Sequence, residues 1–170
     1  MEGDKLIVGF EITPFEAVIV VNVQSGYIGF TLDDFIVHPT DYEGLAMSSP
    51  PVAEMRILQL PVKNRRNFGE WLNVSWDEIG TVNVLSTSPY ARIDSERRNG
   101  YRIMSADAVR GIKLRGCGAA LIACTKEQLL ENIAAIEEDF GLPHGVESRR
   151  GDRINASAYH SGNITPENID

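Results

Sequence analysis

The sequence predicts a single α/β domain, and three features lead to that prediction. Two strand-length runs rich in Ile and Val, residues 6–12 and 17–23, flank a turn at Thr13-Pro14-Phe15. Two further apolar runs, residues 79–85 and 117–124, have the length and composition of buried strands. Residues 125–140 have a capping box at their start, apolar side chains at helical spacing and Gly141 at their end, so they predict a helix.

The remaining elements follow from the same patterns. Residues 27–37 predict a third strand after residues 5–12 and 15–23, so the chain should open with a three-stranded antiparallel meander. Residues 64–74, 108–114 and 152–160 predict further helices, residues 38–51 and 86–102 predict loops, and residues 52–60 fit either a short helix or a strand ended by Pro61.

Length and composition are those of one ordinary globular unit. The chain has 170 residues, of which 43% are hydrophobic and 24% charged, and we expect one domain over residues 1–160 with a loose tail over 161–170. No apolar run reaches the roughly 20 residues that span a bilayer, so we expect no membrane partner. The start of the chain lacks a signal-peptide pattern, which favours a cytoplasmic location. Both cysteines, Cys117 and Cys124, should be reduced.

Charge is distributed unevenly along the chain. The net charge is −8, and residues 1–54 hold nine acids but only one base, Lys5. Most of the 16 lysines and arginines fall in three stretches, within residues 63–66, 92–115 and 149–153. If the fold brings these stretches together they form a phosphate-binding or nucleic-acid-binding face. The alternative, which we favour, is a solvated surface on which each base has an acidic neighbour.

Glu11 is the candidate functional residue of the predicted meander. It lies between Phe10 and Ile12 in a segment predicted to be a strand. Burying an unpaired carboxylate is costly, so Glu11 should be paired, bound to a metal or at a hydrated strand edge.

The opening V-G-F-E-I-T-P-F-E-A-V-I-V-V resembles the first hairpin of RuvC-type resolvases and of a small uncharacterised bacterial family in the ribonuclease H-like superfamily. The segments W-D-E-I-G-T-V-N-V-L, A-D-A-V-R-G-I-K-L and A-A-L-I-A-C-T are similar to its fourth strand, helix and fifth strand. The resemblance covers residues 5–140. It implies a mixed five-stranded sheet, three antiparallel strands followed by two parallel ones, with flanking helices.

The resemblance also implies a metal site. Active members hold two divalent cations with carboxylates, because Mg²⁺ and Mn²⁺ prefer oxygen ligands. Glu11 and Asp152 would be the catalytic residues, and both would bind Mg²⁺ or Mn²⁺ together with Asp94. The fourth strand departs from the pattern because it ends at Leu85-Ser86-Thr87-Ser88 without an acid.

Two functions follow from this comparison. The favoured one is a non-catalytic or degenerate ribonuclease H-like protein that binds a protein or nucleic-acid partner, because the fourth-strand acid is missing. The alternative is a metal-dependent nuclease or resolvase-like enzyme. Five basic residues would hold the phosphate backbone: Arg97, Arg98, Arg102, Arg110 and Lys113. The predicted strand Tyr27–Val37, if it lies at a sheet edge, would allow a homodimer.

Overall fold

The computed structural model describes residues 4–11, 13–38, 52, 54–70, 72–109 and 114–146. This part of the chain contains ten strands and one helix. In chain order they are β1 (Asp4–Gly9), β2 (Phe15–Val23), β3 (Ile28–Val37), β4 (Glu54–Lys63), β5 (Asn67–Gly69), β6 (Val74–Trp76), β7 (Thr81–Ser86), β8 (Ala91–Arg98), β9 (Tyr101–Val109), β10 (Gly118–Cys124) and α1 (Leu129–Asp139).

The strands form two antiparallel sheets. The large sheet has seven strands in the order β1-β2-β3-β10-β7-β6-β5, and the small sheet has three in the order β4-β9-β8. Every strand pair in the described residues is antiparallel. The predicted α/β ribonuclease H-like fold, with a mixed five-stranded sheet and flanking helices, is therefore wrong.

The small sheet packs on one face of the large sheet and makes a β-sandwich. Near one end, Ile19 and Leu32 of the large sheet pack against Met55 of the small sheet. Farther along, Ala119 of the large sheet packs in one cluster with Met104 of the small sheet. Alternate residues of each strand enter this core because successive side chains in a strand point to opposite faces.

Helix α1 covers part of the opposite face of the large sheet. Its buried residues Ile133 and Ile136 pack with Tyr27, Ala120 and Ile122. Strand β10 is therefore covered on both faces, since Ala119 faces the small sheet while Ala120 and Ile122 face the helix. All three have no exposed surface.

The predicted capping box at Thr125 does not form, because α1 begins at Leu129 and its N-cap residue, Gln128, makes no side-chain capping hydrogen bond. The Gln128 side chain instead accepts a hydrogen bond from the Thr125 backbone N–H, before the helix, at 3.2 Å. At the end, Asp139 accepts a 2.5 Å hydrogen bond from the Tyr27 hydroxyl. Burial and this bond raise the pKa of Tyr27. The carboxylate of Glu137 accepts from the backbone N–H groups of Gly145 and Val146. These partners offset the unfavourable position of acids at a helix C-terminus.

Several local predictions are confirmed. Strands β1, β2 and β3 form the predicted antiparallel meander. Strands β7 and β10 occupy the predicted positions, and α1 lies inside the predicted helix. Cys117 and Cys124 form no disulfide bond in the described part of the chain.

Other local predictions are wrong. The predicted helix over residues 64–74 is instead the short β5–β6 hairpin, and the predicted loop over residues 86–102 contains β8 and the start of β9. Asn99 and Gly100 have φ values of 48° and 82°, which two-residue hairpin turns require. Strand β9 runs to Val109, where a helix was predicted to have begun.

Two further predictions concern strand positions. Pro61 lies within β4 rather than ending it, and this is tolerated because β4 is an edge strand of the small sheet. Strand β3 pairs with both β2 and β10, so it offers no free edge for the predicted dimer. The predicted helix over residues 152–160 and the tail over 161–170 lie outside the described residues.

Within the described part of the chain, the helix is too short and too polar to cross a lipid bilayer.

The tight packing at the start of β10 gives a stability prediction. A Cβ atom added at Gly118 would lie 2.5 Å from Thr87 Oγ1 and 2.7 Å from the Phe30 carbonyl oxygen, whereas one added at Gly9 meets nothing within 4 Å. We expect Gly118→Ala to lower the free energy of unfolding by about 1–3 kcal/mol, measured by urea denaturation. The control Gly9→Ala should be neutral within about 1 kcal/mol. Equal effects of the two changes would contradict this account of β10.

Candidate functional site

A pocket of about 400 Å³ opens between the two sheets beside β7 and β8. This volume lies in the range of about 300–1,000 Å³ that is typical of small-molecule sites. Its lining includes apolar side chains of Leu72, Val84 and Ile93. Its polar lining residues are Glu70, Asn73, Ser86, Asp94, Ser95 and Arg102.

Asn73 enters the pocket from the turn between β5 and β6. Its backbone N–H donates to the Glu70 carbonyl oxygen at 3.1 Å, and its φ of 46° lies in the left-handed region. Asparagine is one of the few residues with a side chain that adopts this conformation readily. The local sequence therefore suits the turn, and the turn directs Asn73 into the pocket wall.

Asn83 of β7 holds this turn in place. Its Nδ2 donates to the backbone carbonyl oxygens of Leu72 and Asn73, the latter at 3.2 Å. Two carbonyl acceptors fix the amide orientation, because the reversed amide would place an oxygen against both of them. Asn83 has no exposed surface, so this contact joins the turn rigidly to the large sheet.

The side-chain amide of Asn73 is buried and has no hydrogen-bond partner among the described residues. The residue is only 5% exposed, and both Oδ1 and Nδ2 lack a partner. Arg65 Nε, Thr81 Oγ1 and Asn83 Oδ1 are also buried without a partner, but these residues do not line the pocket. Among the described residues that line the pocket, Asn73 is thus the one whose side-chain oxygen and nitrogen are both buried without a hydrogen-bond partner.

Arg102 forms the opposite wall. Its guanidinium carbon lies 3.4 Å from the centroid of the Phe68 ring, and its Nη1 donates to Ser95 Oγ at 3.2 Å. The three residues come from β9, β5 and β8, so the contact ties the edges of the two sheets together. Stacking leaves the edges of the planar guanidinium to donate to other groups.

Two acidic residues border the pocket. Glu70 precedes the Asn73 turn, and Asp94 lies on β8, where its Oδ1 accepts from the Ser95 backbone N–H at 2.7 Å. Because side chains alternate along a strand, Asp94 shares the exposed outer face of β8 with Arg92, whereas Ile93 and Ser95 face the core and the pocket. Arg102 is the single cation among the lining residues. Ser86 contributes less, because its hydroxyl bonds to the backbone of Ser88.

The residues proposed from the resemblance do not gather in the described structure. Glu11 is exposed in the turn that follows β1, at one edge of the large sheet. Asp94 lies on β8 of the small sheet, beside β7 of the large sheet. Strand β7 is four strand positions from β1, so Asp94 and Glu11 are on the order of 20 Å apart. Asp152 lies outside the described residues. The described residues contain no group of three or more His, Cys, Asp or Glu side chains placed to hold a metal ion.

The residues proposed for phosphate binding have different surroundings. Arg97 and Arg98 are exposed at the end of β8, and Arg97 pairs in register with Arg102 on β9. Arg102 is the half-buried pocket residue described above. Arg110 and Lys113 lie outside the described residues.

Many of the other basic residues have acidic neighbours. Arg65 pairs with Asp77 at 2.6 Å and Arg66 with Glu78 at 3.2 Å. These contacts agree with the favoured interpretation of the basic stretches as a solvated surface with local acidic partners.

The most buried charge in the described residues lies on the outer face of the small sheet. The Asp107 side chain is 1% exposed and accepts hydrogen bonds from Arg56 at 2.7 and 3.2 Å and from Arg92 at 3.4 Å. Arg92 also pairs with Glu54. Burial alone would raise the pKa of Asp107, but the hydrogen bonds and the nearby Arg56 charge outweigh it and lower the pKa. This cluster satisfies itself, so it stabilises the sheet and offers no binding site.

Sequence reasoning missed Asn73 and Asn83, because it placed Asn73 in a helix and gave Asn83 no role. The Asn99-Gly100 pair was a usable signal for the β8–β9 hairpin that carries Asp94, Ser95 and Arg102. No comparable signal marks Asn73, whose burial results from the pairing of β6 with β7 and the packing of the two sheets.

No family model matches this chain, and no curated protein or solved structure matches it either. The functional argument therefore depends on the geometry of the pocket.

The lowered pKa of Asp107 gives a prediction for the pH dependence of stability. A carboxylate with a lowered pKa stabilises the fold above its ordinary pKa of about 4, and this stabilisation is lost as the pH falls through the lowered value. We expect Asp107→Asn to cost about 1–2 kcal/mol at pH 7, a figure reduced by the half-exposed arginines. Urea denaturation between pH 7 and pH 3 should show this difference shrinking below about pH 4. Glu96→Gln, on the exposed face of β8, is the control, and a pH-independent difference for Asp107→Asn would contradict the role of its charge.

Proposed function

We propose that this protein is a non-catalytic binding protein whose ligand is a small polar molecule held in the pocket between the two sheets. The pocket, which is lined by residues of both sheets and bordered by the buried, unpaired amide of Asn73, is the observation that carries the proposal. The surrounding wall supplies further hydrogen-bonding groups from both sheets.

The energetic argument begins with the cost of burying an amide. A buried polar group without a hydrogen-bond partner costs about 1–3 kcal/mol, and Asn73 contributes two such atoms. Folded proteins contain few such groups, and each needs an explanation. Both atoms are closed off from solvent in this structure, so a ligand pairs with Oδ1 and Nδ2, and regains this free energy, when the Asn73 side chain turns toward the pocket.

Rigid support of the site adds to the argument. Asn83 anchors the turn that carries Asn73, and the Arg102 guanidinium is held between Phe68 and Ser95. Groups that are fixed before the ligand arrives lose little conformational entropy on binding. The recognition groups therefore lie on regular strands and one anchored turn, which is the support that a specific site needs.

The partner that we propose from the pocket differs from the partner that we inferred from the sequence. Binding without catalysis agrees with the function favoured from the sequence, but that function named a protein or nucleic-acid partner. A pocket of about 400 Å³ has the size of a small-molecule site, so we propose a small molecule in place of a protein or nucleic-acid partner. The nuclease alternative depended on the ribonuclease H-like fold, so the correction of the fold removes its support.

A comparison of two asparagines tests whether Asn73 serves the fold or a ligand. Asn73 and Asn99 both have left-handed backbones, with φ of 46° and 48°, and glycine keeps that conformation. We expect Asn73→Gly to leave the free energy of unfolding at least as high as Asn99→Gly does, because the Asn73 amide has no protein partner to lose and its removal relieves the cost of two buried, unpaired atoms. A further loss of about 1–3 kcal/mol in Asn73→Gly alone would show a structural bond and contradict the proposal.

Ligand binding is tested directly with the same proteins. A mixed library of sugars, amino acids, nucleosides and organic acids is screened by saturation-transfer NMR against the wild type, Asn73→Gly and Asn99→Gly. We expect compounds that bind the wild type and Asn99→Gly but lose at least tenfold in affinity for Asn73→Gly, about 1.4 kcal/mol. If no compound depends on Asn73, the proposed function is wrong.

A further inference from the structure

We infer that the exposed edge of β1 pairs with the same edge of a second copy of this chain, which makes a two-fold symmetric dimer. Strand β1 is the outermost strand of the large sheet, and among the described residues it pairs with β2 alone. The pocket lies beside β7, on the other side of the large sheet from this edge. The two interactions are therefore separate.

Alternate backbone groups of β1 point away from the sheet. The Phe10 N–H donates to the Phe15 carbonyl oxygen at 3.2 Å, and the β1–β2 register continues from this pair. In an antiparallel ladder every second residue bonds to a given neighbour, so the even-numbered residues of β1 bond to β2. The N–H and C=O groups of Lys5, Ile7 and Gly9 therefore point outward, in the row with which another strand would pair.

The other three sheet edges of the described structure have features that block strand pairing. Strand β4 contains Pro61 and a register shift between Arg56 and Leu58. Strand β8 has charged side chains at five of its eight positions, and β5 is only three residues long. Proline, bulges, charge and short length all keep an edge from pairing. Strand β1 has six residues, three apolar ones in succession, no proline and no register shift, so it is the edge best suited to pair.

Both faces of β1 carry exposed apolar side chains. Leu6 is 50% exposed and Ile7 is 62% exposed, and as neighbours in a strand they point to opposite faces. Val8, on the same face as Leu6, packs against the core cluster that contains Ala17 and Ile19. A strand added beside β1 would cover Leu6 and Ile7 and extend this core, and the burial of such apolar surface is favourable.

A second copy supplies a matching edge in the antiparallel orientation. With Ile7 opposite Ile7 on the two-fold axis, Lys5 of each copy lies opposite Gly9 of the other, and about six backbone hydrogen bonds form. Leu6 then lies opposite Val8, and such apolar cross-strand pairs stabilise a sheet. A two-fold interface must be self-complementary, and this register pairs every outward backbone group of β1.

Charge fits the same arrangement. The charged residues of β1, Asp4 and Lys5, are at its start, whereas its end at Gly9 is uncharged. The two Asp4 side chains of the dimer are six residues apart, on the order of 20 Å, which exceeds the screening length of about 8 Å at physiological salt. The exposed Glu11 follows Gly9 within two residues, or about 7 Å of chain, so it lies within reach of Lys5 of the second copy.

Sedimentation equilibrium of the full chain tests the dimer. The paired surface is small, so we expect the wild type to dimerise with a dissociation constant in the micromolar range and to form no larger species, because the dimer uses up a two-fold interface. Ile7→Lys should weaken the dimer at least tenfold, because it places lysine opposite lysine on the axis. Ile79→Lys makes the same change at a residue that is 87% exposed beside β7, and it should leave the dissociation constant within twofold.

Cysteine cross-linking tests the register. Ile7→Cys should form a disulfide-linked dimer under mild oxidation, because the two opposite Cα atoms lie about 5.5 Å apart. Lys5→Cys and Gly9→Cys should cross-link when mixed but poorly alone, because each lies about 13 Å from its own copy. Non-reducing gel electrophoresis measures the products, and the wild type, with Cys117 and Cys124, is the control for other thiol reactions.

The outcomes decide between this dimer and a monomer. A wild type that stays monomeric up to about 300 μM overturns the dimer, and so does a dimer that Ile7→Lys leaves intact. Lys5→Cys that cross-links alone as well as Ile7→Cys does would overturn the antiparallel register. Urea denaturation checks that Ile7→Lys is folded; if it is not, the uncharged Ile7→Cys decides the question, and absence of its cross-linked dimer overturns the inference.

Discussion

Coverage of β10 on both faces is the constraint on which the rest of the described structure depends. Its pairing with β3 on one side and β7 on the other joins the β1–β3 meander to the β5–β7 strands. Small residues make this possible, because Gly118, Ala119 and Ala120 let the two neighbouring layers approach closely. If β10 were displaced, the large sheet would divide into two parts, and neither the small sheet nor α1 would have a continuous surface to pack on.

The pocket follows from the different widths of the two sheets. Seven strands cannot be covered by three, so strands of the large sheet extend past the small one. On the β7 side the gap is bounded by the turn before β6 and by β8, and polar side chains from both sheets line it. Asn83 links the core to the pocket, because its buried amide donates hydrogen bonds to the backbone of the turn that positions Asn73.

The sequence predicts the parts of the fold whose pattern is local. The Ile- and Val-rich meander, the strand over residues 117–124 and the helix after it are recognisable because burial leaves a direct pattern. Strand β9 is different: Ala106 and Ala108 face the core while Asp107 is hidden by arginines from the two neighbouring strands. A buried acid between small residues is typical of a helix start or a loop in sequence alone, and only the pairing with β4 and β8 explains it.

The same distinction applies to the candidate site. Asp94 and Arg102 were singled out from their charge, yet for a metal and a phosphate rather than for a shared pocket. Asn73 could not be found in this way, because its neighbours in sequence predict a helix and its burial depends on contacts with distant strands. A conflict between a polar residue and its buried position is visible only after the fold is known.

That conflict is itself the strongest argument for function at Asn73. Proteins keep a locally unfavourable residue where selection for activity outweighs the loss of stability, and such residues cluster at functional sites. Asp107 shows how this fold treats a buried polar group that serves structure, since arginines on both sides satisfy its carboxylate. The Asn73 amide lies on an anchored turn but has no such partner among the described residues. Arg65 Nε, Thr81 Oγ1 and Asn83 Oδ1 are also buried without a partner, and these residues do not line the pocket, so Asn73 is distinguished by having both amide atoms unpaired in a residue that borders the pocket.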